Sequence, residues 1–235
     1  MIITIFNFIS PLLPSPFSLS SNSLSTFSRP EAVLYSPQLL GKHLSFEFSY
    51  SSDFSNILNR YFFGIQFYYF GFGWYSIKAD EFFENLIAFG LSYKNLGIGI
   101  NLEPQNVLNS SGNMETKFYL RGILGFYKYI QPFWFSGSIL YEGNEGRNAG
   151  IFSFRYSSKN YDIFIDALLE ENYPLSYAIG SLIKLHRNVN LILGYNTSNM
   201  IFNAGIIILS QKLKLAYQFK THPFLGNSNS VGISY

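Results

Sequence analysis

The sequence predicts an all-β fold, a closed antiparallel up-and-down transmembrane β-barrel of about 14 strands. Three observations predict it. From residue 43 onward, apolar and polar side chains alternate with period two in one run after another. Aromatic residues make up 19% of the chain and charged residues only 13%, against roughly 25% charged in an ordinary soluble domain. The connections between runs alternate between longer and shorter.

Composition narrows the classes further. The 235 residues suit one domain or one barrel, and 25 Phe with 18 Tyr suit strands and membrane interfaces. A net charge of +2 gives no field to draw nucleic acid, so no nucleic-acid partner is expected. The absence of cysteine excludes thiol catalysis, Cys-based metal sites and disulfides. No run reads as a membrane-crossing helix; the nearest, Tyr61–Tyr75, is too short and is broken by Gly64, Gln66, Gly71 and Gly73. Mean hydropathy is +0.12, middling as a barrel requires, because only half of its strand residues face lipid.

The chain divides at residue 42. In 1–42, the apolar run Ile2–Ile9 is followed by Pro11, Pro14 and Pro16 and by the Ser-rich stretch Ser18–Ser28. This reads as a degraded or mis-started secretory signal peptide or as a mature apolar tail, then a linker and a periplasmic or lumen-plugging segment. Residues 43–235 form the barrel.

The strands follow in order. His43–Tyr50 alternates most cleanly, with Leu44, Phe46, Phe48 and Tyr50 against Ser45, Glu47 and Ser49. Tyr61–Phe70, Phe72–Lys78, Asn85–Lys94, Leu96–Glu103 and Lys117–Lys128 come next. Gln131–Tyr141 sets Phe133, Phe135, Ile139 and Tyr141 against Ser136 and Ser138. Gly150–Tyr156, Tyr161–Glu170, Pro174–Lys184, Asn188–Asn196, Asn199–Ile208 and Gln211–Lys220 continue the series, and Val231, Ile233 and Tyr235 end it. Most runs approach the 9–11 residues that a tilted strand needs to cross a bilayer. Asp80–Phe89 and Glu31–Leu40 leave room for a helical turn or two, and Gly71-Phe72-Gly73 reads as a hairpin or bulge.

The longest connection expected is Glu103 to Lys117, and the tight ones include the turn at Phe70–Phe72 and the turn at Asn95. Short turns on one side and longer loops on the other are the habit of outer-membrane barrels. A soluble all-β module remains the competing class. Its polar face would meet water and carry many Lys and Glu, whereas here that face holds mostly Ser, Gly, Asn and Gln. The bulky apolar face suits lipid contact. The expected location is the bacterial outer membrane.

The end of the chain, Val231-Gly232-Ile233-Ser234-Tyr235, resembles the C-terminal strand by which the outer-membrane insertion machinery recognises its substrates. His222-Pro223-Phe224-Leu225-Gly226, leading into Asn227–Tyr235, resembles the last hairpin of the FadL-like barrels, which include the PorV-type proteins of the type IX secretion system. Ser28–Pro37 resembles that family's segment before the first strand, with Ser36-Pro37-Gln38 where the family usually has Asn-Pro-Ala. The resemblance implies a 14-stranded barrel with an N-terminal segment near or inside the lumen. It leaves the activity open between fatty-acid transport and a role in secretion.

Glu47, Arg121, Arg155, Asp162, Asp166, Lys184, Lys212 and Lys214 are expected to face inward. They would either line a lumen that selects a polar or charged solute or form a self-paired network that plugs it; charges of both signs on neighbouring strands favour the plug. Asp162 and Asp166 lie about 13 Å apart along one strand, too far for a shared carboxylate dyad. Tyr50, Tyr69, Trp74, Tyr93, Trp134, Tyr141, Tyr195 and Tyr217 are the expected membrane girdle. Val231, Ile233 and Tyr235 are the expected assembly signal. His43, His186 and His222 are scattered, so no metal, cofactor or catalytic site is expected.

The functional expectation is a non-enzymatic barrel that passes a small or hydrophobic molecule, or one that scaffolds an envelope or secretion complex. The alternatives are a non-transporting interaction barrel, binding through the Glu103–Lys117 loop, and a soluble binding module. Expected partners are the lipid bilayer, the barrel-assembly machinery, and a hydrophobic small molecule or a secretion-system subunit.

Overall fold

The computed structural model describes residues 30–53, 57–79, 82–108, 114–142, 148–171, 174–197, 200–223 and 226–235. The expected signal and linker, residues 1–29, lie outside them. Fourteen strands form one closed antiparallel barrel in sequence order, and the last pairs with the first. They are β1 Ser45–Asp53, β2 Leu58–Phe67, β3 Phe70–Ala79, β4 Phe82–Tyr93, β5 Leu96–Leu108, β6 Met114–Ile130 and β7 Phe133–Glu142. The circuit continues with β8 Asn148–Ser157, β9 Tyr161–Glu170, β10 Ser176–His186, β11 Val189–Asn196, β12 Ile201–Ser210, β13 Leu213–His222 and β14 Gly226–Ser234. No α-helix occurs among the described residues; Glu31–Leu40 holds two short 3-10 turns, Pro30–Leu34 and Pro37–Leu39. Closure removes the sheet edges, so every rung of the backbone ladder has a partner strand.

The period-two pattern sorts the side chains. On β1, Glu47, Ser49, Ser51 and Asp53 are buried inside, while Phe46 and Phe48 face out. The same sorting carries Phe63, Ile65, Phe89, Leu91, Ile98, Ile100, Leu124, Phe126, Ile163, Ile165, Ile206 and Ile208 to an exposed outer face. A soluble barrel would bury such a face; a lipid-spanning one turns it outward.

One end of the barrel carries turns of two or three residues together with the start of β1 and the end of β14; it is the turn end here, and the opposite end is the loop end. The loop-end connections are shorter than the sequence suggests. The expected loop Glu103–Lys117 is instead mostly strand: β5 runs to Leu108 and β6 starts at Met114, with Pro104 opposite Phe118. Pro104 and the polar residues after it read as loop because proline cannot donate to a ladder. Past the rungs Ile87–Leu102 and Arg121–Glu142, β5 and β6 pair only with each other among the described residues, so this hairpin outreaches its neighbours. Asn85, expected to open a strand, lies inside β4, and the tight turn expected at Phe70–Phe72 is Tyr68–Tyr69 instead. Both tyrosines have positive φ, 43° and 68°, the handedness a two-residue hairpin turn needs. Gly71 and Gly73 are therefore not turn or bulge residues but interior positions of β3.

Candidate functional site

The functional surface of a barrel is its interior, and here a segment of the chain occupies part of it. Residues 30–40 lie inside the wall, packed on β1 to β6, and all of them are buried. Val33 and Leu34 are fully buried and join Phe62, Tyr75, Leu86, Ile123 and Leu140 in one apolar cluster.

The wall makes room for this plug with glycine. Gly64, Gly71, Gly73, Gly90, Gly97, Gly99 and Gly125 on β2 to β6 point at it, and a Cβ on any of them would press on Pro30, Val33, Pro37, Gln38 or Leu40. The closest approaches are Gly97 under the backbone of Gln38 and Gly125 under its side-chain amide. A strand glycine of this kind marks the approach of another backbone rather than a bend.

Hydrogen bonds fix the seat. Asn101 Nδ2 donates to the Leu34 carbonyl at 2.9 Å, and Ser92 Oγ to the Gln38 carbonyl at 3.3 Å. Gln38 Nε2 donates to Ser138 Oγ at 3.0 Å and to the Gly137 carbonyl at 3.3 Å. At the exit, Tyr69 N–H donates to the Gly41 carbonyl at 3.1 Å. Burial pushes the Tyr35 hydroxyl well above the usual tyrosine range, with Tyr75 and Glu31 adding to it.

Charged groups cluster in the lumen as pairs. Asp53 and Arg60 meet at 2.9 Å, and Glu103 and Arg121 at 2.7 Å. Glu84 lies within electrostatic reach of the second pair, and Lys220 within reach of Asp53, Arg60 and Glu31. Near the turn end, Asp162 accepts from Arg155 at 2.9 Å and from Ser157 at 2.6 Å, with Lys184 Nζ at 3.7 Å. Lys184 also donates to the Ser158 carbonyl.

Arg155 lies between the rings of Trp134 and Phe164, at 5.9 and 5.3 Å, and Trp134 packs on Tyr129 at 4.4 Å. The register makes this one diagonal row across four strands: Tyr129, Trp134, Arg155, Phe164. The row continues through Gly180 and Gly194 to Asn203 and Lys220. Below it, Phe164, Leu182, Ile192, Ile207 and Ala216 form a second apolar cluster on β9 to β13, on strands away from the plug. Among the described residues nothing bonds the buried amide of Asn203.

The expected inward residues distribute as follows. Glu47, Arg121, Arg155, Asp162 and Asp166 are inside, Lys184 is at the turn-end mouth, and Lys214 is on the inward rank of β13 but exposed at that mouth. Lys212 is corrected: it sits in the exposed β12–β13 turn, with its ammonium 5.7 Å from the Tyr235 ring. Trp134 is also corrected, from girdle to lumen, because it shares the inward rank with Ser138 and Leu140. Of the other expected girdle residues, Tyr50, Trp74, Tyr93, Tyr141, Tyr195 and Tyr217 are on the outer rank, and Tyr69 is in a turn. Val231, Ile233 and Tyr235 face outward, and Tyr235 stacks on Phe46 with ring centroids 5.4 Å apart.

Sequence reasoning missed Asp53, Arg60, Glu84, Glu103, Lys220 and the whole second apolar cluster. Asp53 and Arg60 fell in what read as a loop and Glu103 at the last residue of a strand, while Lys220 stood on the polar rank of its strand and could have been included. No group of His, Cys, Asp and Glu able to hold a metal ion occurs among the described residues.

No family model matches the sequence, and neither does any curated protein sequence. Among solved structures, the fold is similar to the outer membrane protein Omp33 of Acinetobacter baumannii, with a TM-score of 0.55 at 6% identity over 82% of this chain and 95% of that one. It is similar also to the CymD monoaromatic hydrocarbon channel, with a TM-score of 0.54 at 10% identity over 94% of this chain and 95% of that one. The chain thus has the fold of outer-membrane β-barrels.

Proposed function

We propose that this chain is an outer-membrane barrel that lets a small hydrophobic molecule pass between the plug and the β9–β13 wall. The observation that carries the reading is the apolar cluster Phe164, Leu182, Ile192, Ile207 and Ala216 on the lumen face. A pore for water and salts has a polar lumen, so an apolar patch there suits a solute that sheds water. The row from Tyr129 to Phe164 leads from the turn-end mouth to that patch, and the amide of Asn203 offers a polar contact for a head group. One fold neighbour being described as a hydrocarbon channel is in keeping with this. The FadL-like resemblance belongs to the same proposal, supported by fourteen strands and a buried N-terminal segment.

Uptake into proteoliposomes tests the reading. Vesicles holding the folded barrel should take up labelled fatty acid or toluene faster than protein-free vesicles, and Ile192→Asp should remove most of the gain. No gain, together with silence in planar-bilayer conductance, would sink transport. A scaffold for an envelope or secretion complex would then stand. The tight interior favours that second reading, since Phe62, Phe164 and Ile192 are fully buried.

A further inference from the structure

The geometry points to a basic collar around the turn end that binds the anionic head groups of the phospholipid leaflet there. Its basis is placement: five of the six turn-end hairpins carry an exposed base in or beside the turn, Lys42 of the plug exit stands against the sixth, and Lys184 and Lys214 add to the same mouth. Lys94 serves the β4–β5 turn, Lys159 β8–β9, Arg187 β10–β11 and Lys212 β12–β13. Lys128 lies two residues before the end of β6 at the β6–β7 turn, and Lys42, from the plug exit, lies 5.7 Å from the ring of Tyr69 in the β2–β3 turn.

Among the described residues no exposed Asp or Glu side chain accompanies them. The nearest acids, Glu47 and Asp162, are buried in the lumen, and Asp162 is already held by Arg155. In the loop-end connections the described residues include one acid, Glu171, and no Lys or Arg.

Three of the bases also show how they sit in an interface. Lys42 lies over Tyr69, Lys94 over Tyr93 at 5.4 Å, and Lys212 over Tyr235 at 5.7 Å. Each ring marks the edge of the apolar band, and each ammonium lies beside it, where lipid phosphates lie. Bases near an anionic membrane surface are attracted within a Debye length. The start of β1, the end of β14 and the short turns lie at this end, which in an outer-membrane barrel faces the phospholipid leaflet. The inference rests on the barrel crossing a bilayer and not on what passes through it.

Spin-labelled lipids test it. The full-length folded barrel is placed in phosphatidylcholine vesicles carrying spin-labelled phosphatidylglycerol or phosphatidylcholine, and the lipid immobilised at its surface is measured. Phosphatidylglycerol should be enriched about two- to threefold, and the preference should vanish in molar salt, where the Debye length is about 3 Å. The triple variant Lys94→Gln, Lys159→Gln, Lys212→Gln should lose most of the preference. The triple variant Lys78→Gln, Lys117→Gln, Arg147→Gln, which removes equal charge from the other end, should keep it. Heat-modifiable migration confirms that each variant is folded. No preference in the wild type overturns the collar, as does an equal loss in both variants, which would mean that net charge alone acts. Loss of preference on adding inorganic phosphate, but not chloride of equal ionic strength, would show a discrete phosphate pocket and also overturn it. Failure to insert into any vesicle would overturn the bilayer reading itself.

Discussion

Adding one methyl group at Gly97 should strain and shift the seat of the plug, whereas adding one at Gly122 should leave it untouched. A Cβ at Gly97 would fall on the backbone N and Cα of Gln38 and the carbonyl carbon of Pro37. These are backbone atoms, so no side-chain rotation relieves the clash, and the 37–39 turn has to move. Tolerating it as overpacking costs about 1–3 kcal/mol. Complete unseating costs more. It exposes Val33, Leu34, Leu39 and Leu40, at about 1.5–3 kcal/mol per side chain. It also breaks the bonds from Asn101, Ser92 and Gln38, at about 1 kcal/mol net each. The methyl therefore shifts the seat rather than expelling the segment, and Gly97→Ala should destabilise by about 1–3 kcal/mol. Gly122 faces outward with nothing within 4 Å of a built Cβ, so Gly122→Ala should be neutral or gain about 0.5–1 kcal/mol. Urea unfolding in detergent, followed by intrinsic fluorescence, measures the gap. Gly97→Leu, which no small shift can accommodate, should make residues 30–40 cleavable by protease and raise solute uptake. Equal unfolding midpoints for the two alanine variants, with equal protease resistance in Gly97→Leu, would refute the seat.

The buried ion pairs give a second expectation: Glu103→Ala leaves Arg121 without its 2.7 Å partner and should cost about 3–5 kcal/mol, with the double replacement by apolar residues recovering much of it in urea unfolding. The two tryptophans should separate by side. Lipids brominated on their acyl chains should quench the emission of Trp74, which faces outward and donates to Asn85, and spare that of Trp134, so Trp74→Phe should abolish most of the quenching. At the seam, Tyr235→Ala removes the stack on Phe46 but keeps the two backbone bonds between them; loss of the stack should cost about 1 kcal/mol and lower the yield of heat-modifiable barrel.

The strand count and the two-faced pattern were legible because lipid outside and a filled lumen inside impose opposite polarity on successive residues. Strand ends were less legible. The rungs from Glu103 to Leu108 carry a proline and polar residues, and only the partner strand β6 shows that they belong to the sheet. Trp134 was misplaced for a related reason. An aromatic near a strand end fits a girdle by residue type, but its rank follows from Ser138 and Leu140, four and six residues along. Lys212 shows the converse, since alternation carried one step past the first residue of β13 puts a turn residue on the inward rank.

The glycines are where the sequence said more than a pattern of polarity extracts from it. On the lumen face of β2 to β6 they recur opposite one another across the rungs Gly64–Gly73, Gly71–Gly90, Gly90–Gly99 and Gly97–Gly125. A polar-face reading treats glycine as merely not apolar. Paired across strands, however, glycine removes side chains from an area of wall, and a barrel does not leave such an area bare when it can pack there. On β9 to β11 the matching rung, Gly180–Gly194, stands next to Phe164 and Asn203, on strands away from the β1–β6 wall on which residues 30–40 pack. The same device therefore serves two ends: on one wall it seats a segment of the chain, and on the other it interrupts the row of side chains along which the proposed solute would move. Gly194→Leu should accordingly slow uptake while leaving protease resistance of residues 30–40 unchanged. A variant that loosened the plug instead would show that the two walls are one packed unit and that no separate path exists.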